Sequence, residues 1–354
     1  MNLENDVGEE LNMNSEFKKN FQRSLREITA HSKKSKSKIG LVLNTTSKQH
    51  KISHILLPVR KTSNLICLGI TISEKKHLRA FLKEIDGKFD YIFVDGEQKS
   101  RELTNLVEIT EKNIKKSKIL TYKNNDSTVE SADAFLQQVV DFSKKNKITI
   151  VGAGNIGSKL ALKLVERGQN VFISKRKFSD SLKIANALNL LKPKVCTAKA
   201  IPIKITNIEK NCNVLISFSS MPIIDKKMIN QMSKNGLILD GGIGTLKDDA
   251  ILLANTKNID IIRLDARAGF SGTLTTIFET KELVEKIFGS RKIRNIEIVS
   301  GGFYGKLGSI VVDRLDSPSA ILGVADGKGG LKRKNYSKSE KNNIREIDAW
   351  IKTS

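Results

Sequence analysis

Three cysteines in 354 residues, Cys67, Cys196 and Cys212, are too few and too scattered for a disulfide framework or a zinc site. Histidine is scarcer than its chemistry would need. His31, His50, His54 and His77 all lie in the early part of the chain, so no His/Cys metal cluster is expected, and proton transfer must come from Lys, Asp/Glu, Tyr or one of these early His residues. No apolar run approaches the roughly 18 residues that would mark a membrane-spanning helix. Residues 1–10 are acidic and polar, which does not fit a secretory signal. These absences together read as a soluble globular protein of a reducing cytoplasm, with no metal and no membrane partner.

Aromatic residues make up only 5% of the chain, which bears on its charge. The net charge is +23, carried by 47 Lys and 14 Arg. A nucleic-acid surface more often uses Arg with interleaved aromatics, so nucleic acid is not the expected partner. A field of this sign suits a small anionic substrate and an anionic cofactor. A homodimer is among the assemblies this length allows.

What is present is concentrated in residues 147–177. A β-branched strand, 148–151, runs into Gly152, Gly154 and Gly157. An amphipathic helix follows, with Leu160, Leu164 and Val165 on one face, and Gly168 ends it. A second apolar strand, 171–173, comes next. This order resembles the fingerprint of the Rossmann dinucleotide-binding superfamily. On that resemblance Gly152 makes the tight turn, Gly154 lets the pyrophosphate approach the backbone, and Gly157 lets helix and strand pack closely. The pyrophosphate would then meet the free N–H groups of the helix start, including Asn155 and Ile156. NAD-specific versions usually carry Asp or Glu at the end of the second strand, about 20 residues past the glycines. Here stand Ser174, Lys175 and Arg176, followed by Lys177. A hydroxyl and cations suit a 2′-phosphate, so NADP is expected in preference to NAD.

Alternating strand and helix patterns surround this stretch. Strands are predicted at 39–43, 65–70, 91–94 and 119–122. Leu78, Phe81, Leu82 and Ile85 recur at helical spacing, predicting a helix over 74–85 with Ser73 as its N-cap. A second helix is expected over 101–115. Ser127 and Glu130 form a Ser-x-x-Glu box that predicts a helix over 128–144. Beyond the fingerprint, strands are predicted at 214–217, 237–240, 261–265 and 296–299, and helices at 248–255, 273–288 and 303–315.

The fold class is therefore α/β, with two α/β domains. Residues 1–38 read as a flexible N-terminal segment, in which 16–28 could form a polar helix, and 39–127 as a substrate domain, completed by a returning helix over about 303–325. Residues 128–145 form a connecting helix. Residues 146–302 form the second domain, a Rossmann (doubly wound, mainly parallel) dinucleotide-binding domain. Residues 326–354 read as a basic tail, with one or two helical turns over 344–351.

This layout is similar to that of shikimate dehydrogenases and methylene-tetrahydrofolate dehydrogenases, although the Asn-Thr-Asp-x-x-Gly-Phe signature of the former is absent. Residues 213–267 resemble the D-2-hydroxyacid and alanine dehydrogenase group. The resemblance rests on Asn-Val-Leu-Ile-Ser-Phe-Ser-Ser, on Gly-Leu-Ile-Leu-Asp-Gly-Gly and on Ile-Ile-Arg-Leu-Asp-Ala-Arg. It implies that Ser217, Ser219 and Gly241 border the nicotinamide ribose. That group's catalytic His after the last strand is replaced here by Ser300, Gly301, Gly302, Phe303 and Tyr304.

Ligands of open α/β sheets bind beyond the carboxyl ends of strands. Asp95 ends an apolar strand and has Glu97 and Lys99 beside it, so a Lys–Asp pair could polarise a carbonyl and shuttle its proton. Tyr304 and Arg267 are the other candidates for catalysis, Arg267 as a two-pronged holder of a substrate carboxylate. The expectation is an NAD(P)-dependent oxidoreductase acting on a small polar metabolite in a cleft between two domains. The alternatives are a non-redox dinucleotide-using enzyme of cyclodeaminase or lyase type, and a dinucleotide sensor without turnover.

Overall fold

The computed structural model describes residues 15–46, 54–62, 65–72, 75, 78–99, 103–333 and 335–353. The chain divides into two compact units, Met1–Thr273 and Leu274–Ser354.

The first unit opens with helix α1 (Ser15–Ser35). Phe17, Phe21, Leu25 and Ile28 recur along one face of it, and Phe17, Phe21 and Ile28 are buried. The Phe21 ring meets Phe81 edge-on at 5.5 Å. The expected flexible segment is thus, from Ser15 onward, a packed helix. Its many Lys and Arg residues line the solvent side and masked a narrow apolar stripe.

Five strands and three helices follow: β1 (Lys38–Thr45), β2 (His54–Lys61), β3 (Leu65–Ile72), α2 (Leu78–Ile85), β4 (Tyr91–Asp95), α3 (Leu106–Asn113), β5 (Lys118–Tyr122) and α4 (Asn124–Val139). They form a sheet of order β2-β3-β1-β4-β5. Its central pairs are parallel, and β2 runs antiparallel on the edge. Leu41, Leu68 and Ile92 are neighbours in register and fully buried, as strands covered on both faces require. The N-cap assigned to Ser73 lies outside the described residues.

Helix α4 starts earlier than predicted. Ser127 and Glu130 are therefore inside it, not at a capping box. The Ser127 hydroxyl is buried and shares a 2.7 Å hydrogen bond with Thr273. Val129, Ala132 and Leu136 join the core of a second sheet.

That sheet contains β6 (Ile148–Val151), β7 (Val171–Ser174), β8 (Ala200–Pro202), β9 (Cys212–Ser217), β10 (Met232–Asp240) and β11 (Asp260–Arg263). Helices α5 (Asn155–Glu166), α6 (Phe178–Leu191), α7 (Lys226–Gln231) and α8 (Asp248–Thr256) connect the strands, and α9 (Arg267–Glu282) follows β11. The order β11-β10-β9-β6-β7-β8 is wholly parallel. Renumbered from β6, it is the 3-2-1-4-5-6 order of a doubly wound dinucleotide fold, with the switch point between β6 and β9. The strand predicted at 296–299 does not belong to this sheet.

The second unit has its own sheet of β12 (Gly289–Ile293), β13 (Ile296–Ser300), β14 (Ile310–Val312) and β15 (Ile321–Val324), followed by helix α10 (Lys338–Thr353). A π-helical turn, Leu283–Ile287, precedes it. Arg294 and Asn295, both at positive φ, make the two-residue turn between β12 and β13, the geometry that matches strand twist. Residues 303–325 therefore hold two strands in place of the expected returning helix. Gly305 and Gly308 break helical continuity there, and Ile310, Val311 and Val312 favour a strand. The expected loose tail is instead ordered in α10, with Ile347 fully buried. Ser337 and Glu340 cap that helix reciprocally, at 2.8 and 3.1 Å. Among the described residues no helix is long and apolar enough to cross a membrane, and no group of His, Cys, Asp or Glu could hold a metal.

Candidate active site

The glycine turn sits at the switch point of the second sheet. Val151 pairs in register with Ser174 on one side and Ser217 on the other, so three strand ends lie level. Gly152 has φ +89, and a Cβ there would come within 2.9 Å of the Phe218 and Ser219 backbone. A Cβ on Gly157 would meet the Gly152 carbonyl oxygen at 2.6 Å. These two glycines are required by packing within the protein. Gly154 differs, since a Cβ there would meet nothing within 4 Å. Its lack of a side chain keeps open a space beside the start of α5, where Asn155, Ile156 and Gly157 present N–H groups with no intrahelical acceptor.

The end of β7 is the second wall of this space. Ser174 accepts the N–H groups of Gly152 and Ala153 on its carbonyl, both at 3.0 Å. Its hydroxyl is buried and has no partner among the described residues. A buried hydroxyl left unmatched is costly, so it marks a place for a missing polar partner. Lys175 is half-buried, with its N–H donated to Ser181 at 2.8 Å, while Arg176 and Lys177 are exposed. None of the three cations forms an ion pair among the described residues.

The opposite wall follows β9 and β10. Ser217 is buried and accepts the Gly241 N–H on its carbonyl at 2.8 Å. Ser219 is half-buried beyond it. A Cβ on Gly241 would overlap the Phe218 ring at 2.3 Å. Asp240 accepts the N–H groups of Gly242, Ile243, Gly244 and Thr245 and the Thr245 hydroxyl, at 2.7 to 3.3 Å. One carboxylate thus fixes the whole turn and holds Ile243, a β-branched residue, at φ +64. The sequence reading missed this role, although an acidic residue directly before Gly-Gly was visible.

The first sheet contributes a buried charged group at the carboxyl ends of β4 and β5. The Asp95 side chain is 0% exposed and accepts the Lys99 ammonium at 2.6 Å. Lys99 also reaches Glu97 at 2.9 Å. Asp95 further accepts the Glu97 N–H at 3.1 Å. Glu97 accepts the N–H of Asn125, in the first turn of α4, at 2.8 Å, where the helix dipole favours a carboxylate. Asn125 then donates its side-chain amide to Asn155 at 3.3 Å. A continuous path of hydrogen bonds therefore runs from Asp95 to the first residue of α5, through Lys99, Glu97 and Asn125. Beside it the Tyr122 hydroxyl donates to Asn44. Burial, then the charge of Asp95, pushes the Tyr122 phenol well above its ordinary value, so it stays protonated. Burial likewise pushes the Cys67 thiol up to about 12, which leaves it inert as a nucleophile.

The remaining two candidates are Arg267 and Tyr304. Arg267 is 76% exposed and paired with Asp265 at 2.5 Å, a surface contact of little energetic weight. Tyr304 is in the second unit and 72% exposed. Among the described residues neither shares a hydrogen bond or ion pair with Asp95, Glu97 or Lys99.

Residues 134–244 match the sequence model of the family described as shikimate / quinate 5-dehydrogenase. No curated protein matches the chain. Among solved structures, the chain is similar to the dipicolinate synthase A chain from Bacillus subtilis, with 11% identity over 70% of this chain and 98% of that one, at a TM-score of 0.34. L-tryptophan dehydrogenase from Nostoc punctiforme has 14% identity over 69% and 74%, at 0.40. Quinate dehydrogenase from Corynebacterium glutamicum, in complex with NAD, has 13% identity over 68% and 90%, at 0.38. The family match runs through the glycine turn, the end of β7 and the Asp240 turn. It supports the resemblance read from the sequence, and with it an NAD(P)-dependent oxidoreductase, a dehydrogenase or reductase with a nicotinamide dinucleotide as cofactor.

Proposed function

We propose that the protein is an NADP-preferring dehydrogenase or reductase of a small, polar, anionic metabolite. The reacting group of that substrate would lie between Lys99 and the glycine turn. Gly152, Gly154, Asn155, Ile156 and Gly157 would hold the pyrophosphate, Ser174, Lys175 and Arg176 the 2′-phosphate, and Ser217, Ser219 and Gly241 the nicotinamide ribose. When bound, the nicotinamide supplies the hydride. The observation that carries this reading is the Lys99 ammonium. It has three donors, two of them engaged by Asp95 and Glu97, which leaves one for a substrate oxygen. In the reductive direction Lys99 would polarise the carbonyl and pass a proton to the developing alkoxide. Asp95 would hold the ammonium in place and stabilise its charge. Neither Arg267 nor Tyr304 is needed for this step.

The test has two parts. Purified protein with NADPH is screened against keto acids, cyclic enones and imines, following loss of the reduced-nicotinamide absorbance. Asp95→Asn is then compared with wild type on the substrate found. The expected result is retained NADPH affinity with turnover lowered by about 10²–10⁴, the usual share of acid–base catalysis. Full turnover in Asp95→Asn would remove the pair from the mechanism. NADPH binding without turnover of any panel member would favour a sensor.

A further inference from the structure

The second unit contains a cavity of about 170 Å³. It lies between the turn after β13 and the loop after β15. Phe303, Val311, Ala325 and Leu331 give it apolar walls, and Ser300 and Gly305 give it polar atoms. The Ser300 hydroxyl is buried and has no hydrogen-bond partner among the described residues. Gly305 is also buried, and its N–H donates to none of the described residues. Two unmatched donors thus line one pocket, open to solvent on one side, whereas buried polar groups usually find a partner.

The surroundings are fixed rather than collapsible. Asp326 accepts the N–H groups of Lys328 and Gly330, at 2.7 and 2.9 Å, and so shapes the 326–330 loop. The Tyr304 ring lies against Gly329 so closely that a Cβ there would come within 2.3 Å of it. Phe288 meets Phe303 edge-on at 5.6 Å. Lys328 in this loop and Arg333 just beyond it are exposed and form no ion pair among the described residues, so together they outnumber the Asp326 carboxylate.

From this geometry we infer that the cavity is a binding site for a small monocarboxylate with a compact, ring-sized apolar body. A dry cavity of about 150 Å³ holds a benzene ring, so the space suffices for the body. The two oxygens of a carboxylate match the two donors, Ser300 O–H and Gly305 N–H. Inorganic phosphate has more oxygens than the cavity has donors, and the apolar walls would leave them unpaired. This site does not depend on the dinucleotide reading.

Benzoate is the probe, titrated by calorimetry into the full chain, with benzyl alcohol and inorganic phosphate as comparisons. Saturable benzoate binding is expected, with benzyl alcohol and phosphate weaker. Ser300→Ala should weaken benzoate about tenfold, the effect of one hydrogen bond to a charged group. Ala325→Leu should abolish binding by filling the space. Gly154→Val, which alters only the dinucleotide turn, should leave it unchanged. Absence of saturable binding, as from a cavity that holds only water, would overturn the proposal. So would benzoate affinity indifferent to Ala325→Leu, or benzoate affinity lost in Gly154→Val. Should Ser300→Ala fail to fold, the Ala325→Leu arm decides alone.

Discussion

Lys99 holds its ammonium 2.6 Å from the Asp95 carboxylate, with 13% and 0% of the two side chains exposed. The pair is not self-contained, because Glu97, 10% exposed, shares the same ammonium. Two carboxylates and one cation in a poorly solvated place depend on that cation. Lys99→Met should therefore cost about 3–5 kcal/mol, the range for breaking a buried pair from one side. Adding Asp95→Asn to Lys99→Met should recover part of the loss, because only one carboxylate then needs a counter-charge. Chemical denaturation of the two variants checks both statements. A Lys99→Met protein as stable as wild type would mean that water already solvates the group.

Gly154 is the glycine of the turn whose side-chain position faces open space. Gly154→Val should leave the melting temperature within a few degrees of wild type and weaken dinucleotide binding by orders of magnitude. Gly157→Val should instead unfold the turn, since its Cβ would meet a carbonyl oxygen at 2.6 Å. Unchanged NADP(H) affinity in folded Gly154→Val would place the dinucleotide elsewhere.

Lys175 and Arg176 bear on cofactor choice. Each charge-assisted contact to a 2′-phosphate is worth about 1.5–3 kcal/mol. Replacing Lys175 by Asp and Arg176 by Ala should abolish the NADP preference or reverse it. Calorimetry on wild type decides the premise first: equal affinity for NAD and NADP would remove it.

Asp313, at the end of β14, gives a pH signature for the second unit. Burial works against its ionisation, but the Ser319 hydroxyl and the N–H groups of Ala320, Ser319 and Arg314 outweigh this and hold the carboxyl at about 2. Its folded value lies below its ordinary one. Its contribution is therefore complete above pH ~4 and is lost as pH falls from there towards 2. The Asp313 carboxyl should titrate at about 2 by NMR, and Asp313→Asn should flatten part of the acid destabilisation over that window. Titration near the ordinary aspartate value would show the turn open in solution.

The second sheet was legible because its signals are local. Gly152, Gly154 and Gly157 follow one apolar strand and precede one amphipathic helix, and the β9 and β10 strands end in equally plain turns. Asp95 with Glu97 and Lys99 could be named because all three follow one strand end. Their link to Asn125 and Asn155 could not, because it joins residues far apart in sequence through a register that only folding sets. Helix α1 is legible over 16–28 as a polar helix, but its packing is not, because its four apolar positions are diluted by Lys and Arg. Ser127 and Glu130 misled in another way: the Ser-x-x-Glu spacing is present, but Asn124 and Asn125 begin the helix first. The strands β14 and β15 are only three and four residues long, too short for periodicity to separate from a turn.

Each sheet of the first unit is built from one uninterrupted stretch of chain: 38–122 for the first and 148–263 for the second. No strand of either waits for a partner made much later, and α1, which covers the first sheet, precedes it. During synthesis the first layer can therefore close its hydrogen bonds before the glycine turn has left the ribosome. The three inner strands β3, β1 and β4 are then paired on both sides by the time the second half begins to fold.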